Sequence, residues 1–197
     1  MGYAQPISVF SSADYLAWEG EQAERHMFVR GEVFSMAGGT AEHNAAAFSV
    51  ARELHQHLKG TPCQVFIGDR RLHVNAANCY YYPDVVVTCA SVDTSNPKIT
   101  TLTAAKLVVE VLSPSTSAFD RGDKFADYRR LDTLEEYMLI DPEKGGVDAF
   151  RKGPDGLWVL HPSNSLTPNL TFASIGWSGM VSDLVANPAD GVAAGAP

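Results

Sequence analysis

The strongest constraint on the fold is a pair of short apolar runs that each carry one acid. Val85-Val86-Val87 follows Pro83-Asp84, and Leu107-Val108-Val109-Glu110-Val111-Leu112 encloses Glu110. Runs this short and this rich in β-branched residues read as strands covered on both faces. Side chains alternate along a strand, so Glu110 shares a face with Val108 and Leu112. A carboxylate there is costly unless it is protonated, paired or bound to a cation.

The flanking segments supply the other layers. Ser12 to Trp18 has a polar start and the spacing of a short helix. Met27 to Met36 alternates around Arg30-Gly31 and reads as a β-hairpin. Between Ala41 and Leu58, Ala47, Val50, Ala51, Leu54 and Leu58 recur at helical spacing and define a core stripe. Gln64–Ile67 and Leu72–Val74 read as short strands, and Tyr80–Cys89 as a longer one in which Pro83 marks a start or an irregularity. The pattern predicts a helix over Asp120–Leu131, a strand over Tyr137–Ile140 and a second hairpin across Gly153-Pro154-Asp155-Gly156. This order gives an α/β (α+β) domain with a mixed central sheet, spanning residues 1–186, and a flexible tail over 187–197.

Composition narrows the class. Forty-five percent apolar and 19% charged residues exclude a disordered chain. No apolar run approaches the ~20 residues of a membrane helix, and no basic-then-apolar leader opens the sequence. The expectation is a soluble, cytoplasmic protein. Cys63, Cys79 and Cys89 lack zinc-ligand spacing and read as reduced, buried small hydrophobes. A net charge of −8 argues against nonspecific attraction to nucleic acid. It leaves room for a carboxylate site, which repels phosphate until a cation neutralises it.

Asp84 and Glu110 are the acids placed for such a site. Two carboxylates ~4 Å apart repel by roughly 4 kcal/mol at an effective dielectric of about 20. A hard divalent cation turns that repulsion into attraction. The alternative is that Glu110 pairs with Arg70 or Arg71, or points to a solvated edge. Asp120, Lys124, Tyr128 and Leu131 share one helical face, so Lys124 points inward with Tyr128. An ammonium there can orient a water or offset developing charge; the alternative is an Asp120–Lys124 surface pair. His43 lies on the inward stripe of its helix and reads either as a phosphate- or ligand-facing group or as a hydrogen-bonded core histidine. His55, His57, His73 and His161 show no ligand spacing. Arg70-Arg71, Arg121 and Arg129-Arg130 can contact a nucleic-acid backbone, though short basic pairs are commonly solvated faces.

Four blocks go beyond chemistry: Tyr81-Tyr82-Pro83-Asp84-Val85-Val86-Val87, Val109-Glu110-Val111-Leu112-Ser113-Pro114-Ser115-Thr116, Asp120-Arg121-x-x-Lys124-x-x-x-Tyr128-Arg129 and Leu134-Glu135-Glu136-Tyr137-x-Leu139-Ile140-Asp141-Pro142. In this order they resemble the Uma2 family, bacterial restriction-endonuclease-like proteins with a PD-(D/E)XK nuclease fold. The resemblance extends to Gly31-Glu32-Val33 and the helix opening Glu42-His43-Asn44, covering most of residues 10–175. It implies a restriction-endonuclease-like mixed sheet flanked by helices, with Asp84 and Glu110 as ligands for Mg²⁺ or Mn²⁺. The lysine that usually lies two residues after the acid is replaced here by Leu112, and the resemblance assigns the role to Lys124. His43, Glu32, Asp120 and Tyr128 are accessory candidates. One departure stands out: His26-Met27 aligns with a Tyr-Glu pair of the family, and a thioether is a poor ligand for a hard cation. Glu32 and Glu42 are candidate substitutes.

The leading expectation is a metal-dependent endonuclease acting on DNA, with catalytic residues Asp84, Glu110 and Lys124 and Arg70, Arg71 and Arg121 along the nucleic acid. The second is a nuclease fold that has lost activity and serves as a nucleic-acid-binding or interaction module. A carboxylate-pair glycosidase needs no metal, but leaves Lys124 and the Ser-Pro-Ser-Thr loop unexplained. Related folds often dimerise, and aromatic hairpins are candidate interfaces for a homodimer.

Overall fold

The computed structural model describes residues 10–36, 38–91 and 99–185; the tail from Asn187, expected to be flexible, lies outside them. Two mixed sheets and one hairpin organise the chain. The central sheet has six strands: β3 (Gln64–Ile67), β6 (Val85–Thr88), β8 (Leu107–Val111), β9 (Glu136–Asp141), β10 (Gly146–Lys152) and β11 (Trp158–Ser163). They lie in the order β11-β10-β9-β8-β6-β3, with β8 and β9 parallel. The second sheet has five: β1 (His26–Val29), β2 (Glu32–Ser35), β4 (Arg71–Val74), β5 (Cys79–Tyr81) and β7 (Thr101–Leu102), in the order β2-β1-β5-β4-β7. A separate hairpin joins β12 (Asn169–Phe172) and β13 (Trp177–Met180).

Strand alternation builds two cores from one central sheet. Val85, Val87, Val109 and Val111 face α2 (Ala41–His57), whose Ala46, Val50, Ala51 and Leu54 cover them. Val50 and Leu54 are fully buried, worth about 1.5–3 kcal/mol each in removed apolar surface. Val86, Val108, Leu112, Tyr137 and Leu139 face the opposite way. There they meet Leu72, Val74 and Tyr81 from the second sheet, and Phe125, Tyr128 and Leu131. A third, small cluster packs α1 (Ser12–Glu19) through Tyr15 onto Phe28, Val33 and Tyr80. Both predicted hairpins form. The tight turn of the first needs positive φ at Arg30 (51°) and Gly31 (101°), as two-residue hairpin turns do.

The two short strands expected between Gln64 and Val74 both form, but in different sheets, β3 in the central sheet and β4 in the second. Gly68, at φ 61°, lets the backbone change direction between them. Two other expectations are corrected. The helix expected over Asp120–Leu131 is two short ones, α3 (Ser117–Arg121) and α4 (Asp123–Tyr128), broken at Gly122 where φ and ψ are −109° and −103°. The cysteines are not all reduced: Cys63 and Cys89 form a disulfide, and Cys79 alone is free and buried. Gln64 pairs with Thr88 across β3 and β6, which places the preceding and following residues opposite one another.

No helix among the described residues is long and apolar enough to cross a membrane.

Candidate active site

Asp84 sits where the chain leaves one sheet and enters the other. β5 ends at Tyr81 and β6 begins at Val85. Pro83 has no amide hydrogen to give a ladder, so the link is irregular and the Asp84 side chain is 23% exposed. β6 and β8 pair antiparallel with Val85 opposite Val109, which carries Asp84 alongside Glu110. The Val111 amide donates to Asp84 Oδ2 at 2.8 Å. His43 Nε2, from the first turn of α2, lies 3.2 Å from the same oxygen.

Glu110 points into the face covered by α4, as its period-two position requires, and is 2% exposed. Lys124 Nζ lies 2.8 Å from Glu110 Oε1 and 3.2 Å from Asp120 Oδ1. Tyr128 donates its hydroxyl to Glu110 Oε1 at 3.0 Å. All four residues are buried, so the Asp120–Lys124 contact is not a solvated surface pair. Nor does Glu110 pair with Arg70 or Arg71. Despite the break at Gly122, Asp120 and Lys124 still meet; Tyr137 helps by donating to the Asp120 carbonyl at 2.9 Å.

Electrostatics follow from three carboxylates around one ammonium. Burial pushes the Glu110 carboxyl above its ordinary range, the Lys124 ammonium pulls it back toward the charged form, and the Asp84 and Asp120 charges oppose Lys124. Burial alone would lower Lys124, but the Glu110 and Asp120 carboxylates hold it above its ordinary value. It therefore stays a cation at neutral pH. The hydrogen bond to Asp84 outweighs burial and raises His43. Burial, then the Glu110 charge, keeps Tyr128 protonated.

These groups suit a hard divalent cation. Asp84 and Glu110 each spend one oxygen on the contacts above; Oδ1 and Oε2 take no hydrogen bond from a described residue. The local charge is also short of positive groups. Among the described residues no third His, Cys, Asp or Glu completes a ligand set. Mg²⁺ in particular is commonly held by one or two carboxylates, with water and substrate oxygens completing the shell.

Other expected site residues lie elsewhere. Met27 is partly buried against the cluster containing Tyr81 and Tyr128 and contributes an apolar side chain there, not an oxygen ligand. Glu32 and Glu42 are exposed and make no ion pair with Lys124. Arg70 donates to the Ile99 carbonyl. Arg71 donates to the Thr101 and Thr100 hydroxyls at 3.2 and 3.3 Å, tying β4 to the β7 segment. Arg121 pairs with Asp148 at 2.5 Å. The aromatic rings of the β10–β11 hairpin are spent internally, with Phe150 and Trp158 packed on Phe125.

One network went unread in the sequence. Asp127, buried, accepts from Tyr81 Oη at 2.6 Å and from Arg30 at 2.8 and 3.0 Å, and the Cys79 thiol lies 3.4 Å away. The Tyr81 ring it fixes lies 5.9 Å from Lys124 Nζ. The available signal was Asp127 itself, three residues from Lys124 and so on an adjoining helical face.

Known proteins agree with this architecture. The Uma2 family model, described as "Putative restriction endonuclease", matches residues 12–182. Two uncharacterized proteins of Synechocystis sp. are similar in sequence. One, slr1290, is 34% identical over 79% of this chain and 80% of its own length; the other, sll1609, is 33% identical over 77% and 86%. Among solved structures, a chain from Anabaena variabilis described as a "putative nuclease belonging to DUF820" superposes with a TM-score of 0.74. That match covers 89% of this chain and 97% of the other at 15% identity, and so speaks to the fold alone. On the family match, which spans residues 12–182, the chain belongs to the Uma2 family.

Proposed function

We propose that this protein is a metal-dependent endonuclease that hydrolyses phosphodiester bonds in DNA, its nuclease unit spanning residues 1–186. The observation that carries the reading is the buried contact of Lys124 with Glu110 at 2.8 Å, beside Asp84 on the neighbouring strand. Asp84 and Glu110 would hold Mg²⁺ or Mn²⁺, which supplies Lewis-acid activation of water and charge neutralisation at the phosphate. Lys124, fixed by Glu110 and Asp120, presents a permanent positive charge. It serves to orient the attacking water and to offset charge on the phosphoryl oxygens, not to abstract a proton. Tyr128 and Asp120 hold Glu110 and Lys124 in register. Arg121, partly exposed and paired with Asp148, is a candidate backbone contact, as are Arg70 and Arg71, which are engaged by oxygens of residues 99–101. Assembly as a homodimer in the cytoplasm belongs to the same proposal.

Plasmid incubated with the purified protein and Mn²⁺ tests the reading. Nicking that disappears in Asp84→Ala and Lys124→Ala supports it. No nicking, or nicking that survives both substitutions, refutes it. A second reading, an inactive nuclease fold acting as a nucleic-acid-binding or interaction module, is favoured by Met27, which offers packing where the family's pattern has an acid. Calorimetry separates the two, since an inactive site should take up no Mn²⁺ at millimolar concentration.

A further inference from the structure

We propose that His43 is a positioning residue: together with the Val111 amide it clamps one oxygen of Asp84 and so turns the other toward a divalent cation. This rests on the reading of Asp84 as a metal ligand and deepens it.

Asp84 needs outside support. It follows Pro83, precedes the first ladder residue of β6, and is partly exposed. A carboxylate in such a link has freedom to rotate, and a metal ligand that rotates binds poorly. Two nitrogens from different elements converge on Oδ2: the Val111 amide donates to it at 2.8 Å from the central strand, and His43 Nε2 lies in ion-pair contact at 3.2 Å from α2. Oδ1 receives neither. Ligating carboxylates are commonly held by outer partners of this kind.

The imidazole is itself held from behind. Thr40 caps α2 by accepting from the His43 amide at 3.2 Å, which fixes the backbone of the first turn. A Cβ on Gly39 would lie 2.8 Å from His43 Nδ1, so the ring packs against a loop that leaves it no room on that side. Nδ1 is buried and has no hydrogen-bond partner among the described residues. A buried polar atom left unpaired is unfavourable and rare in folded proteins. The arrangement sacrifices one nitrogen of the ring to keep the other on Asp84. A histidine serving only the helix would gain more by turning Nδ1 to solvent.

Calorimetric titration of the full-length protein with Mn²⁺ tests the inference, with thermal unfolding in the absence of metal as a check on folding. His43→Ala should weaken Mn²⁺ binding by about 10- to 100-fold. His43→Gln, whose side-chain amide can reach Asp84, should recover most of the affinity. Gly39→Ala, which crowds the ring, should weaken binding in the direction of His43→Ala. The inference is overturned if His43→Ala binds Mn²⁺ within twofold of the wild type, or if His43→Gln is as weak as His43→Ala while both melt like the wild type. If His43→Ala does not fold, Gly39→Ala decides alone, and unchanged affinity there overturns it. Absence of Mn²⁺ uptake by the wild type overturns the ligand reading and this inference with it, an outcome distinct from wild-type uptake that ignores position 43.

Discussion

Lys124 Nζ and Glu110 Oε1 meet at 2.8 Å in an interior where their side chains are 11% and 3% exposed. A buried ion pair is poor evidence of net stabilisation, but removing one partner strands the other. Lys124 also neutralises Asp120, so its loss leaves two buried acids.

Lys124→Met should therefore destabilise the fold by about 3–5 kcal/mol, measured by urea unfolding at neutral pH. The double variant Glu110→Gln/Lys124→Met should recover part of that loss, because one of the two stranded acids is gone while Asp120 remains. A loss below about 0.5 kcal/mol in the single variant would show that the pair is not the buried contact described.

Glu136 anchors the C-terminal hairpin. It is 1% exposed and accepts from the Ala173 amide at 3.1 Å, the Ser174 amide at 3.0 Å, the Ser174 hydroxyl at 2.8 Å and Arg151 Nε at 2.8 Å. Glu136→Ala leaves Arg151 its bond to the Thr171 carbonyl but removes its carboxylate partner and strands three further donors, and should cost about 3–5 kcal/mol. Hydrogen exchange should show the β12–β13 amides losing protection first; uniform loss across the sheet would contradict the anchoring role.

Much of this was legible in the sequence, and what was not has a physical reason. Period two alone put Glu110 on the face of Val108 and Leu112, and helical spacing turned Lys124 inward beside Tyr128; both hold. The break at Gly122 was hidden because the spacing of Asp120, Lys124 and Tyr128 survives it. The Cys63–Cys89 bond was missed because it depends on the register of Gln64 with Thr88, a tertiary fact that cysteine spacing does not encode. The second sheet was folded into the first for a related reason. Gly68 and Pro83 signal a turn and a break, but not that the chain changes sheet there. The β12–β13 hairpin, closed through Gly176 at φ 68°, escaped because its strands are short and weakly patterned.

The disulfide joins residues 26 apart that flank β3, an edge strand, and β6: Cys63 just before the one and Cys89 just after the other. In the chain-entropy account a loop of that length is worth about 3.5 kcal/mol. Cys63→Ser/Cys89→Ser should lower the unfolding free energy by about 2–4 kcal/mol, and a dithiol reductant should lower the wild type equally without affecting the double variant. Equal response of both proteins to reductant would contradict this.

Alkaline pH should destabilise the protein. Burial pushes the Cys79 thiol up from 9.0 to about 11. Burial likewise holds the Tyr15, Tyr81 and Tyr82 hydroxyls above their ordinary 10.0. A group that keeps its proton more tightly when folded adds stability that is complete below its unfolded pKa and is lost as pH climbs toward the folded one. Stability should thus begin to fall near pH 9, with Cys79 contributing roughly 2–3 kcal/mol of the loss by pH 11. Cys79→Ala should show a shallower decline between pH 9 and 11; an unchanged slope would remove the thiol from the account.

The central claim concerns a cation between two strands, and a crystal soaked in manganese addresses it most directly. Anomalous density bonded to oxygens of both Asp84 and Glu110, with Lys124 still beside Glu110, is the predicted result. No peak there at millimolar metal, or a peak held by other side chains, would contradict it.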